Sequence, residues 1–175
     1  MNHGYTEEWV KLGIIHYDEI ETQVNEAIRL KDNNTEHMRY KSLLRFYESS
    51  KLSISVMPLL FDLLDQDTDQ IMIIGFYLKV INDPRIDSQM FEIISEKLLS
   101  IDSRYKQDIE RAAIKREYFM TGSLSEKTIM KFIAIEKYHR ILVDHCSCPK
   151  LLNKIQKISN SKKINNIINA KLQFG

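Results

Sequence analysis

Only 5 Gly and 3 Pro occur in the 175 residues of the chain. That scarcity is the strongest constraint on its fold. β-Sandwiches, barrels and dinucleotide-binding α/β folds need frequent turns marked by Gly and Pro, and this chain lacks the residues to make them. Helices need few such breaks. The apolar spacing agrees. Over residues 6–31, Trp9, Leu12, Ile15, Ile20, Val24, Ala27 and Ile28 recur mostly at three- and four-residue steps. No segment alternates like a strand between hairpin-turn residues. The expected fold class is all-α.

Capping chemistry divides the chain further. Thr6 followed by Glu7 and Glu8 marks a helix start, and "DNNT" (32–35) a turn. A second helix over 35–50 turns Met38, Leu43, Leu44 and Phe46 inward. Ser53 or Ser55 caps a third, with Pro58 tolerated in its first turn. A fourth spans 68–82 and stops before Pro84, whose ring disfavours helix at Asp83. Asp87 or Ser88 opens a fifth, Ser103 caps a sixth, and Gly122 ends it. Ser123-x-x-Glu126 reads as a capping box for a seventh, reaching Asp144. Pro149 begins an eighth and Ser161 a ninth. The expectation is about eight to nine helices in one domain, 1–175. Its parts are N-terminal helices over 1–50, hairpins over 53–120, and C-terminal helices over 123–175 ending in Lys. Short loops lay consecutive helices antiparallel.

One hairpin carries a resemblance. In "MPLLFDLLDQDTDQIMIIGFYLKVI", Pro58 precedes the leucine pairs Leu59-Leu60 and Leu63-Leu64. An acidic turn with Asp65 and Asp67 follows, then Ile71, Gly75, Leu78 and Ile81. This stretch, best over 57–84, resembles a HEAT repeat. It departs from that family in having Ile71-Met72 where Val-Arg is usual. A second unit, 90–120, matches in spacing and in Ala112 and Ala113. The resemblance implies stacked α-hairpins, as a HEAT-like right-handed α-solenoid or a compact bundle. It implies no particular function, because fold and function separate readily.

Motifs with chemistry are few. Asp65, Asp67 and Asp69 alternate like the start of a calcium loop. An EF loop then needs Gly at position 6 and Glu at position 12, but Gln70 and Phe76 stand there. Turn and cap duties fit these carboxylates better: Asp67 with Gln70 as a capping box, and Asp69 at the positive helix end. His139, His145, Cys146 and Cys148 gather in "YHRILVDHCSCP". Zinc sites pair Cys two to four residues apart with a second pair elsewhere, and neither condition holds. No disulfide framework is expected from Cys146 and Cys148, which suits a reducing compartment. No nucleophile elbow, phosphate-binding loop, zincin helix or dinucleotide fingerprint occurs. The protein reads as non-enzymatic, with no cofactor and no metal.

Charge supplies the remaining signal. The net charge is +1. Residues 1–37 hold eight acids against three bases, whereas no acid follows Asp144. "MNHGYTEEW" has neither a basic nor an apolar signal-peptide region, and no long apolar run suggests a membrane span, so a cytoplasmic location is expected. The reading is a protein-binding module, by analogy an immunity protein that neutralises a cognate bacterial toxin. Asp65, Asp67, Asp69, Asp18, Glu19 and Glu21 are its candidate partner-binding residues, steering a basic toxin surface. The alternative is nucleic-acid binding through Arg104, Arg111, Lys115, Lys154, Lys162 and Lys163, aided by Tyr105, Tyr118 and Phe119. Against it, Asp108, Glu110 and Glu117 interrupt the basic run, and Asp108, Arg111 and Lys115 have helical ion-pair spacing.

Overall fold

The computed structural model describes residues 4–32, 35–49 and 52–174. Asn33 and Asn34 of the expected DNNT turn lie outside them. Among the described residues the protein is all-α, with eleven α-helices, two 3-10 turns and no strand.

The helix count exceeds expectation because two periodic segments are broken. The 6–31 segment gives α1 (Glu7–Lys11) and α2 (Tyr17–Leu30). Gly13, between them, takes the left-handed φ of 69° that suits glycine. Ile14 and Ile15 stay buried through the break, so apolar spacing alone cannot reveal it. α2 restarts after His16, whose backbone N–H donates to Glu19 Oε2 at 3.4 Å. Likewise the 123–144 segment splits into α8 (Glu126–Phe132), a 3-10 turn (Glu136–Tyr138) and α9 (His139–His145).

Between these lie α3 (Glu36–Glu48), α4 (Met57–Asp65), α5 (Gln70–Ile81), α6 (Ser88–Ile101), a 3-10 turn (Ser103–Tyr105) and α7 (Lys106–Thr121). α10 (Pro149–Ile158) and α11 (Lys162–Phe174) complete the chain. Several caps differ from expectation by a residue or two. The Ser53 and Ser55 hydroxyls bond each other at 2.9 Å, and Val56 precedes α4. Asp102, not Ser103, caps the turn into α7, accepting from the Arg104 N–H at 2.8 Å. Ser125, not Ser123, caps α8, accepting from the Thr128 N–H at 3.2 Å. Gly122 ends α7 as expected, at φ 73°, its N–H donating to Tyr118 O at 2.8 Å. Asp87 opens α6 by accepting from the Met90 N–H at 2.8 Å.

The chain divides into two units, Met1–Val80 with Ile86–Ser100, and Ile81–Arg85 with Ile101–Gly175. The first unit packs Trp9, Leu43, Leu60, Leu64, Phe76 and Ile94 at its centre. Tyr5 meets Trp9 edge-on, ring centroids 5.2 Å apart. A buried ion pair crosses this unit. Arg39 of α3 donates from Nε and Nη2 to Asp67 Oδ2 and Oδ1, at 2.9 and 3.1 Å. The side chains keep only 6% and 3% of their exposure. Asp67 Oδ1 also accepts from the Asp69 N–H at 2.9 Å, which fixes the α4–α5 turn. Gly4 lies on the guanidinium so closely that an added Cβ would sit 2.5 Å from Arg39 Nη1.

The second unit encloses Ile114, Ile129, Phe132, Leu142, Val143 and Ile155, with Ile168 of α11 closing it. Two of its buried side chains each have an anchoring bond. The Tyr138 hydroxyl donates to Glu110, and His139 Nε2 donates to Ile133 O at 2.7 Å. Glu117 of α7 accepts the Ser125 N–H at 2.8 Å and the Thr128 hydroxyl at 2.5 Å, tying α7 to the start of α8. Burial opposes ionisation of Glu117, but these bonds outweigh it and hold its pKa below the ordinary carboxyl value.

Two outcomes follow. Asp67→Ala leaves Arg39 charged and buried, and is expected to lower the unfolding free energy in urea by about 3–5 kcal/mol. Glu117→Gln is expected to cost about 1 kcal/mol at neutral pH, a value discounted for solvent screening. Because the folded pKa is depressed, the Glu117 contribution is full above the unfolded carboxyl range. It fades as pH falls through the folded value, so urea midpoints of variant and parent converge in acid.

Candidate functional site

The Asp65-x-Asp67-x-Asp69 triplet separates into three duties. Asp67 is the buried partner of Arg39. Asp69 caps α5, its Oδ1 accepting from the Met72 N–H at 2.8 Å. The cap is therefore Asp69 and not Asp67. Asp65 is exposed and pairs with Lys97 Nζ of α6 at 2.6 Å. That ammonium also lies 5.3 Å from the Phe61 ring centroid. On α2, Asp18 and Glu21 are exposed, and Glu19 pairs with Arg45 of α3 at 2.8 Å.

α5 supplies what the acids alone do not. Its sequence, QIMIIGFYLKVI, is apolar on nearly every side. Met72, Ile73, Phe76, Tyr77 and Val80 fill the core. A helix apolar all round is normally buried all round. Here Ile74, Gly75 and Leu78 are half-buried and Ile71 is 86% exposed, and these four share one face at i, i+3, i+4 and i+7 spacing.

Beside that face, Tyr40 of α3 comes up against Gly75, where an added Cβ would meet its Cε2 at 3.8 Å. The result is an open apolar groove of about 310 Å3 lined by Glu36, His37, Tyr40, Asp69, Ile71, Met72 and Gly75. A neighbouring polar recess of about 560 Å3 shares Glu36, Asp69 and Ile71, and includes Gly4 and Arg39. Ile71 therefore stands where an apolar and a polar opening meet, with carboxylates at the rim. Tyr40, Ile71 and Gly75 were each visible in the sequence as helix residues. Their juxtaposition was not, because Tyr40 lies 31 residues before Ile71. The local signal was the surplus of apolar residues in α5.

The basic residues singled out in the sequence belong to the second unit. Arg104 pairs with Asp102 at 2.6 Å, and Lys154 with Glu126 at 3.2 Å. Lys115 donates to Asn82 Oδ1 at 3.3 Å. Arg111 is half-buried, and Lys162 and Lys163 are exposed on the first turn of α11. Cys146 is buried, and burial raises its thiol pKa, while Cys148 is exposed. Among the described residues no group of three or more His, Cys, Asp or Glu could hold a metal ion, and no helix is long and apolar enough to cross a membrane.

No family model, curated protein or solved structure matches the chain. The site stands on its geometry.

Gly75 tests that geometry. Glycine inside a helix costs up to ~1 kcal/mol relative to alanine, and a methyl fits here at ordinary contact distance. Gly75→Ala is expected to raise the unfolding free energy by roughly 0.5–1 kcal/mol. The same methyl shallows the groove, so thermal unfolding rises as any ligand of the groove binds less well.

Proposed function

We propose that the protein is a non-enzymatic binding module whose first unit grips a basic protein segment carrying an apolar anchor. One observation carries the reading: the 86% exposed Ile71 on an open groove with Tyr40 and Gly75. An apolar patch rimmed by polar groups is a common sign of a protein interface. A groove of about 310 Å3 suits one large side chain, the form that interface anchors take. Charge selects the partner. The first unit holds sixteen Asp and Glu against nine Lys and Arg, a formal charge of −7. Glu36 and Asp69 at the rim, with Asp65, Asp18, Glu19 and Glu21 elsewhere on this unit, steer a cationic partner toward it.

Within that class we propose a toxin-neutralising immunity protein, its acidic unit masking the cationic surface of a cognate toxin domain. The support is electrostatic fit and a sequence without a recognised catalytic motif.

The test uses two readouts. Isothermal titration compares a helical Lys/Leu peptide, its Glu/Leu counterpart and the product of the neighbouring gene. Ile71→Ala and Tyr40→Ala are each expected to weaken binding of the Lys/Leu peptide at least tenfold, with Ile71→Ala leaving thermal unfolding unchanged. Equal affinity for the Lys and Glu peptides, or affinity untouched by both substitutions, removes the groove reading. Co-expression with the neighbouring gene product judges the immunity reading separately, and absence of protection discards it.

A further inference from the structure

The second unit has the opposite field. It holds eight Asp and Glu against sixteen Lys and Arg, a formal charge of +8. Several of its acids are committed within the unit. Glu117 is bonded to Ser125 and Thr128, Asp144 to Arg140 at 2.7 Å, and Glu110 to Tyr138. On this basic background two flat side chains form a pair, and the exposed Phe119 follows one of them in sequence. The rings of Tyr118 on α7 and His145 on α9 lie 4.6 Å apart, tilted by 32°. Tyr118 is 38% exposed and its neighbour Phe119 55%. Buried aromatic rings are ordinary, but two adjacent exposed ones at the end of α7 are not explained by the core.

Cations surround the pair. Lys115 is one helical turn before Phe119 and is exposed. Lys171 reaches the same corner from α11, donating to the carbonyls of Asp144 and Cys146 at 3.0 and 3.2 Å. Burial lowers the His145 pKa; the Asp144 carboxylate opposes this and the Lys115 and Lys171 charges reinforce it, so the net shift is downward and favours the uncharged ring. Exposed aromatic faces beside ammonium groups match what single-stranded nucleic acid offers, bases to stack and phosphates to neutralise. A duplex hides its base faces, and an acidic peptide has no regular series of them.

We infer that the corner of the second unit built by Tyr118 and His145, with the adjacent Phe119, binds single-stranded nucleic acid, stacking bases on exposed rings while Lys115 and Lys171 contact phosphates.

Fluorescence anisotropy on the full chain tests this. The probes are labelled oligo(dT) and oligo(U), an abasic oligomer of equal length, and heparin, over a salt series. Binding of both oligonucleotides is expected, with log K falling as log salt rises. The Tyr118→Ala/Phe119→Ala double variant is expected to bind at least tenfold more weakly with an unchanged salt slope, since stacking is worth about 1–3 kcal/mol per base. Lys115→Gln is expected to flatten the slope by about 0.7 for each phosphate it no longer neutralises. Circular dichroism checks that each variant is folded. The abasic oligomer asks the same question of the unaltered protein and is expected to bind at least tenfold more weakly. No binding of oligonucleotide at low salt overturns the inference. So does abasic or heparin affinity equal to that of oligo(dT), which would show an ordinary cationic surface, or preference for an acidic peptide used as competitor.

Discussion

The first unit is built across a buried ion pair, Arg39–Asp67. A carboxylate and a guanidinium taken out of water are costly, and only a geometry that satisfies both repays that cost. Here two parallel bonds join them, and a third bond to the Asp69 N–H shapes the turn. Arg39 is on α3 and Asp67 lies between α4 and α5, so one pair locks three helices. The lock also sets the groove. Tyr40 follows Arg39 in sequence, and Asp69 and Ile71 follow Asp67 within four residues. The elements that present the groove are the ones the pair holds.

Charge is divided as sharply as packing. A net charge of +1 conceals −7 on one unit and +8 on the other. Such a chain shows little overall attraction for polyanions or polycations by bulk charge. Each unit nonetheless presents a local field, and local fields rather than net charge govern what approaches closely within a Debye length of ~8 Å at physiological salt. The two proposed ligands, a basic protein segment and a single-stranded nucleic acid, are opposite in sign for that reason. Salt should weaken both.

Much of the fold was legible in the sequence. Scarce Gly and Pro with three- and four-residue spacing correctly indicate an all-α protein, and Gly122, Asp87 and Pro149 mark ends where the helices begin or stop. What escaped were breaks that leave the apolar rhythm intact. Gly13 turns the chain while Ile14 and Ile15 stay in the core. Caps slipped where two suitable residues were close, as with Asp102 beside Ser103 and Ser125 beside Ser123. The acidic triplet was visible as a cluster, but sequence cannot say which carboxylate meets Arg39, 28 residues earlier. Burial decides that Asp67 is structural and leaves Asp65 at the surface. The groove was less legible still, since it arises from helices brought together by the tertiary fold.

Gly4 adds a consequence of a different kind. Its missing side chain lets the backbone come close to the Arg39 guanidinium, and the next residue, Tyr5, packs edge-on against Trp9. The segment covers part of a pair whose side chains keep 6% and 3% of their exposure, and burial of that kind lowers the local dielectric in which the pair is strong. A bulkier residue at this point, or trimming of the chain as far as Trp9, would admit solvent to a charge pair far away in sequence. The integrity of the α4–α5 turn is thereby tied to the N-terminal segment, whose Gly4 lines one recess with Thr68, Asp69 and Gln70 of that turn.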